Sequence, residues 1–320
     1  MIYNMNHKNI SVLKIDVPEK FYNAEIKNDY QITSEMKRVW AVQMDLLAEL
    51  DRVCQKYGIT YYADSGTLIG AIRHKGYIPW DDDIDIVMKR EDYNKLLEVG
   101  ADEFKSPYFL QNAYSECFIR GFSRLRNSET TAIIKNDIRL NCNKGIFIDI
   151  FPLDNVPEGV TEKSLWCKMI RLMFEILRVG VNSSPCYYTS FTRKALCAVL
   201  NGFFKIVNYK SVFRSYEKLC SRYNKKETAK ISYVGYSFGK KRHLWDHKCF
   251  DSSHKVPFEF MEINIPDGYD SRLKTEYGDY MVIKHAPTAH GNVILDPNVS
   301  YIEYLEKYSE KEILGMIEQK

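Results

Sequence analysis

Between Ile59 and Met88 the chain sets an apolar strand, ITYYAD (59–64), a Ser-Gly-Thr turn, a short helical stretch, TLIGAIRH (67–74), and a second strand, IDIVM (84–88). Four aspartates, Asp81, Asp82, Asp83 and Asp85, crowd the five positions that lead into that second strand. Carboxylates packed this closely take up protons or gather a cation, because like charges repel. Side chains alternate faces along a strand. Extended backbone from Asp83 onward therefore projects Asp83 and Asp85 on one face and sends Ile84 and Ile86 into the core. Two carboxylates so placed can bridge one or two divalent cations. Hard oxygen ligands suit Mg2+ or Mn2+, which also take up substrate phosphates. Asp81 and Asp82 lie in the preceding loop, where each either assists the pair or is a solvated turn residue.

The stretch upstream supplies something for such a pair to act on. Ser65, Gly66 and Thr67 stand at the end of a strand and open into a helix, whose free N-terminal N–H groups suit a phosphate. Gly66 permits close approach, and the two hydroxyls can join in. Arg73, His74 and Lys75 follow at the far end, where the Arg73 guanidinium is placed to clamp a phosphoryl oxygen. A third carboxylate, Asp149, interrupts the apolar GIFIDIF (145–151) between Ile148 and Ile150. A charge in a buried strand is expensive unless paired or metal-bound, so Asp149 is expected to complete the site, the plainer alternative being a partly exposed edge-strand residue. Asp154 falls beyond that strand and reads as a turn or cap residue.

The rest of the chain frames this unit. Residues 34–57 carry apolar side chains at three- and four-residue steps and predict a helix, capped by Thr33 or Ser34 and ended by Gly58. A helix from about 91 to 104 follows, then short strands near 108–112, 121–126 and 145–151, which predicts a mixed α/β or α+β domain. From about 161 to 224 the pattern turns to helices rich in basic and aromatic residues. These are expected to form a helical subdomain covering the site, the alternative being a monotopic membrane face. Short strands are predicted over 231–265, and helices over 268–280 and 302–319. The eight cysteines show no close pairs and read as reduced thiols of a cytoplasmic protein. The N-terminus has no apolar core of signal-peptide length, and charges interrupt every apolar run before it could span a bilayer. A net charge of +3 over 320 residues leaves no nucleic-acid footprint at the level of the whole chain.

The run YYADSGTLIGAIRHKGYIPWDDDIDIVMKREDY resembles the signature of the LicD family, whose members include phosphocholine transferases and the fukutin-related proteins. The downstream GIFIDIFPLDNVP and YDSRLKTEYGDYM resemble later blocks of that family. The resemblance implies a nucleotidyltransferase core of the DNA polymerase β type, with Asp83 and Asp85 as metal ligands and Ser65, Gly66 and Thr67 at the donor phosphate. Many members end this region with paired histidines, where this chain has His290 alone. The expected division is a catalytic core over 30–157, a helical insertion over 158–230 and a C-terminal part over 231–320 that completes the catalytic domain. The expected activity is Mg2+-dependent transfer of a phosphoalcohol, first of all phosphocholine from CDP-choline, to a hydroxyl of a cell-surface glycan precursor of the lipopolysaccharide or teichoic acid kind. Asp83, Asp85 and Asp149 would serve catalysis. Tyr61, Tyr62, Tyr77 and Trp80 are candidates for an aromatic cage around a quaternary ammonium. The partners would be a CDP-alcohol donor and a glycan acceptor, with peripheral contact at the inner face of the membrane as a further reading. The rival readings are transfer of NMP from an NTP to a protein, RNA or small molecule, and a non-catalytic glycan-binding module.

Overall fold

Thr33 and Gly58 bracket the first long helix as their chemistry dictates. The Thr33 hydroxyl accepts from the Met36 amide at 3.1 Å, and Gly58 takes a left-handed φ of 60°. The structure, a computed structural model, describes residues 13–285 and 292–319. A small hairpin of β1 (Glu25–Lys27) and β2 (Tyr30–Ile32) precedes α1 (Ser34–Tyr57). Then come β3 (Tyr62–Ala63), α2 (Ser65–His74), β4 (Asp85–Lys89), α3 (Arg90–Glu103), β5 (Tyr108–Gln111), β6 (Ser123–Asn127), β7 (Thr131–Ile134) and β8 (Ile146–Val156). Helices α4 (Val160–Asn182), α5 (Phe191–Ile206) and α6 (Tyr209–Cys220) follow, and β9 (Lys230–Ser232), α7 (Val234–Ser237) and β10 (Trp245–Asp246) return the chain to the sheet. The hairpin of β11 (Ser253–Phe258) and β12 (Met261–Pro266), α8 (Tyr269–Tyr277), β13 (Val293–Asp296), α9 (Tyr301–Lys307) and α10 (Glu310–Gln319) complete the described chain. The architecture is mixed α+β.

Seven strands form the central sheet, and β8 is its axis. One side of β8 pairs in parallel with β4, which pairs antiparallel with β3. The other side pairs antiparallel with β6 along residues 146–150 and with β9 along 154–156. Alternation then sorts the side chains. Ile84, Ile86, Ile148 and Ile150 join the large core that α1 covers. Val87, Phe151 and Leu153 point to the opposite face and pack with Phe122, Tyr233 and Trp245. Asp85 and Asp149 share the period of this second group, so the sheet buries its isoleucines on one face and turns its carboxylates to the other.

Several elements depart from the sequence expectation. Strand β8 runs on to Val156, so Asp154 is neither turn nor cap. It lies inside the strand, fully buried, and pairs with Arg90 through bonds of 2.8 and 2.6 Å. Asp149 lies on this central strand rather than at an edge. The strand expected over 59–64 shortens to two residues, and the 302–319 helix is two helices broken at Tyr308 and Ser309. The pairing of β7 with β13 joins segments about 160 residues apart, a contact no local pattern announces.

Candidate active site

The aspartate loop is held from below by α1. Trp40 Nε1 donates to the Asp81 carbonyl at 3.0 Å and Gln43 Nε2 to the Asp82 carbonyl at 2.7 Å. Tyr77 steadies Gln43 by donating to its Oε1 at 3.1 Å. One oxygen from each of Asp81, Asp82 and Asp83 lies within 4.8 Å of the others. Burial and the neighbouring Asp83 push the Asp81 carboxyl well above the usual carboxylate range. A methyl group at position 66 would collide with the Asp81 carboxylate, so Gly66 lets that carboxylate lie against the start of α2.

Register brings the remaining carboxylates together. Asp85 is the direct partner of Asp149 across β4 and β8, and Asp149 is the direct partner of Arg124 across β8 and β6. Partners in register present their side chains to the same face, so Asp85, Asp149 and Arg124 form one row. Arg124 Nε donates to Asp149 Oδ1 at 2.6 Å and Nη2 to Oδ2 at 3.4 Å. The same guanidinium reaches Asp137 at 3.4 Å and lies 3.9 Å from the Phe147 ring centroid. Asp137 in turn accepts from Arg120 at 2.5 Å. Asp83, Asp85 and Asp149 all line one cavity of about 1360 Å3, roomier than the roughly 300–1,000 Å3 of a typical small-ligand pocket. Carboxylates in this number and spacing offer the hard oxygen set that a Mg2+ or Mn2+ ion takes, so Asp83 and Asp85, with Asp81 and Asp82 beside them, could hold such an ion.

Ser65, Gly66, Arg73 and Trp80 also line this cavity. Thr67 does not. It is 3% exposed, and its hydroxyl accepts from the Asp85 amide at 2.9 Å, so it fixes the start of β4 and does not face the cavity. Ser65 adopts a left-handed φ of 48° at the mouth of α2, directly after Asp64. Asp64 is anchored by Arg272 of α8 at 2.6 Å, and Arg272 pairs with Glu276 at 2.8 Å. Arg73 is partly spent: its Nη1 donates to the Tyr280 carbonyl at 2.7 Å and to that of Val282 at 3.3 Å. That bond clips the 280–282 segment to the end of α2. His290 lies outside the described residues.

Of the four aromatic candidates for a cage, Trp80 alone reaches the cavity, resting 4.0 Å from His285. Tyr61, Tyr62 and Tyr77 are buried core residues. Tyr62 donates to the Phe250 carbonyl at 2.8 Å, and Tyr77 stacks on Trp40 at 4.3 Å. The aromatic wall comes from elsewhere. Phe122, Phe151 and Tyr236 meet at centroid distances of 4.5, 5.7 and 5.3 Å, and Tyr236 is close enough to Asp85 and Asp149 for their charges, after burial, to push its hydroxyl upward. The segment 233–243, YVGYSFGKKRH, also brings exposed Lys240 and Arg242 and a neutral His243 to the cavity. Burial, with Arg242 and Arg272 nearby, pushes His243 down to about 4. Sequence reasoning took this segment for strands. The glycine followed by three basic residues was the available signal, and its link to the site is a close approach of Gly121 to Gly235, where a side chain at 121 would collide with the Gly235 carbonyl and one at 235 with the Tyr216 hydroxyl.

The LicD/FKTN/FKRP nucleotidyltransferase domain matches residues 58–178, which contain α2, the aspartate loop, β4 and β8. The lipopolysaccharide cholinephosphotransferase LicD of Haemophilus influenzae is 29% identical over 252 residues, covering 75% of this chain and 89% of that protein. An uncharacterised protein of Rickettsia prowazekii is 32% identical over 113 residues, 35% of this chain and 39% of its own length. The matched domain spans the carboxylate site, and the chain is similar in that region to the LicD/FKTN/FKRP nucleotidyltransferase domain.

Proposed function

We propose that this protein is a divalent-cation-dependent phosphotransferase that moves phosphocholine from CDP-choline to a hydroxyl of a cell-surface glycan precursor. One observation carries the reading: the in-register row of Asp85, Asp149 and Arg124 faces the same cavity as the Phe122, Phe151 and Tyr236 rings. A donor that joins a diphosphate to a quaternary ammonium needs both chemistries side by side, carboxylates that hold a cation for the first and aromatic faces for the second. The similarity to a lipopolysaccharide cholinephosphotransferase supports this choice. We read β3, β4, β6 and β8 with α1 and α2 as the nucleotidyltransferase core.

In the reaction, an acceptor hydroxyl oxygen forms a bond to the phosphorus that bears choline. The bond from that phosphorus to the bridging diphosphate oxygen breaks, and CMP leaves with the electron pair. The hydroxyl proton passes to a carboxylate of the site, Asp149 being the candidate. Asp83 and Asp85 would hold the cation, which when bound neutralises the diphosphate and stabilises the leaving phosphate. Ser65 and the opening of α2 lie where backbone N–H groups meet phosphate oxygens, and exposed Lys240 and Arg242 add positive charge from the opposite wall. Positioning and electrostatics supply most of what such a transfer needs.

The second reading, NMP transfer from an NTP, uses the same carboxylates but leaves the aromatic wall without a role. The test compares CDP-choline with CTP under Mg2+ and identifies the product. CMP release is expected, abolished by EDTA, restored by Mg2+ or Mn2+, and largely lost in Asp83→Asn and Asp85→Asn. CDP-choline should be preferred over CDP-glycerol, and Tyr236→Ala should reduce the preference, since a cation–π contact contributes on the order of 0.5–2 kcal/mol. Pyrophosphate release from CTP, or full activity in chelator, would falsify the reading.

A further inference from the structure

We infer that the outer face of α5, with the adjoining stripe of α4, is a docking surface for an anionic lipid bilayer. Helix α5 is apolar yet takes almost no part in the interior: Cys197 is its one buried residue. Phe191 and Ile206 near its ends are 82% and 89% exposed, with Leu196, Val199 and Phe203 exposed between them. Spacings of three and four residues set Leu196, Val199, Phe203 and Ile206 on one side of the helix. The opposite side rests on α4, where Asn201 donates to the Gly180 and Ser183 carbonyls at 2.9 and 3.2 Å. Helix α4 turns Leu165, Met169 and Leu172 to solvent at the same kind of spacing. Ten of the nineteen large hydrophobic side chains exposed among the described residues fall between 160 and 206. Scattered surface hydrophobics are ordinary, but a concentration of this size marks an interaction surface.

Charge selects the occupant. The same 47 residues hold seven basic side chains against two acidic ones, an excess of five positive charges where the whole chain's excess is +3. Arg193 and Lys194 at the start of α5 and Lys205 near its end are exposed on the helix that carries the apolar stripe. A face made for a second copy of the chain would be depleted of charge at its centre and would gain nothing from a one-signed rim. Anionic headgroups pair with the basic residues while the apolar side chains enter the acyl boundary. Among the described residues no helix is long and apolar enough to cross a membrane, and the proposed contact is a peripheral one. Ser183 and Tyr187, in the link from α4 to α5, line the cavity wall, so one end of the two helices that carry the patch borders the cavity. A lipid-borne hydroxyl acceptor would therefore arrive beside the carboxylates.

Flotation of the full chain with vesicles tests this without any turnover. Binding is expected to vesicles of phosphatidylcholine mixed with phosphatidylglycerol, to be much weaker to phosphatidylcholine alone, and to fall as salt rises. Val199→Asp combined with Ile206→Asp should weaken binding at least about tenfold, with an unchanged circular dichroism spectrum because both positions are exposed. Arg193→Glu with Lys194→Glu should weaken it as well and flatten the salt dependence. Absence of flotation with anionic vesicles, equal flotation of the Asp double variant, or a solution dimer that this variant dissociates overturns the assignment.

Discussion

Asp149 carries a charge at 3% exposure in the middle of an apolar strand, and its surroundings explain why it is tolerated. Arg124 meets it with two N–H groups, and such a pair compensates a desolvation that neither charge could bear alone. The guanidinium also fixes the plane of the carboxylate toward Asp85. Asp149→Asn keeps the shape but removes the charge and the proton acceptor. Turnover should fall at least about 10²-fold, while CDP-choline affinity, which in the proposed function rests on the α2 turn and the Asp83 and Asp85 pair, should be retained. If Asp149 also touches the cation, the Mg2+ concentration for half-maximal rate rises. Near-normal turnover in this variant would reduce Asp149 to a partner of Arg124. The residue itself was legible in the sequence, because an aspartate flanked by isoleucines is conspicuous. Arg124 was not, since its pairing depends on the register of β6 against β8, which local composition does not encode.

At the level of elements, the start of α2 is positioned by a helix more than 200 residues downstream. Arg272 of α8, itself fully buried, reaches Asp64 and Glu276 and stacks 3.7 Å from the Trp245 ring. It thereby ties the residue that precedes Ser65 to the β10 edge of the sheet. Arg272→Leu leaves two buried carboxylates facing each other without a cation, and removing one partner of a buried pair typically costs about 3–5 kcal/mol. An unfolding free energy from urea titration lowered by that amount is expected, and a loss below about 1 kcal/mol would show that the pair acts like an exposed one. The helices α1, α2 and α3 and the strands β4 and β5 were readable because capping residues and apolar periodicity are local. The loop 233–243 was misread because its place at the cavity comes from meeting Gly121, Asp85 and Asp149 in space. Three of the four aromatic candidates failed for a related reason: closeness in sequence to the aspartates placed Tyr61, Tyr62 and Tyr77 in the core behind the site instead of around it.

On the scale of the whole molecule, several segments bring basic side chains toward the carboxylates, and two histidines lie among those charges, His243 buried and His74 half-buried. His74 is pushed down to about 4 by burial, with Arg73 and Lys27 nearby, and His243 to about 4 by burial, with Arg242, Arg272 and Lys240 nearby. His243 is further fixed by hydrogen bonds with Tyr233 and from Arg242, so its neutral ring is part of the cavity wall. In the unfolded chain a histidine titrates near 6.5. Between that value and about 4 the unfolded state binds protons that the folded state refuses, and stability must fall as the pH drops through this window. Above it both states are neutral at these rings and the contribution is complete. Carboxylates held low by their partners, such as Glu103 beside Lys56 and Tyr57, add losses in the same direction, so the wild-type trend alone would not isolate the histidines. His243→Gln does, because glutamine keeps a hydrogen-bonding group for Tyr233 and removes the titration. Urea unfolding of both proteins at pH 7 and pH 5 should show a smaller loss on acidification in the variant. An identical loss in the two proteins would mean that His243 takes up its proton inside the folded state, which would place a new positive charge in the cavity wall beside Arg272.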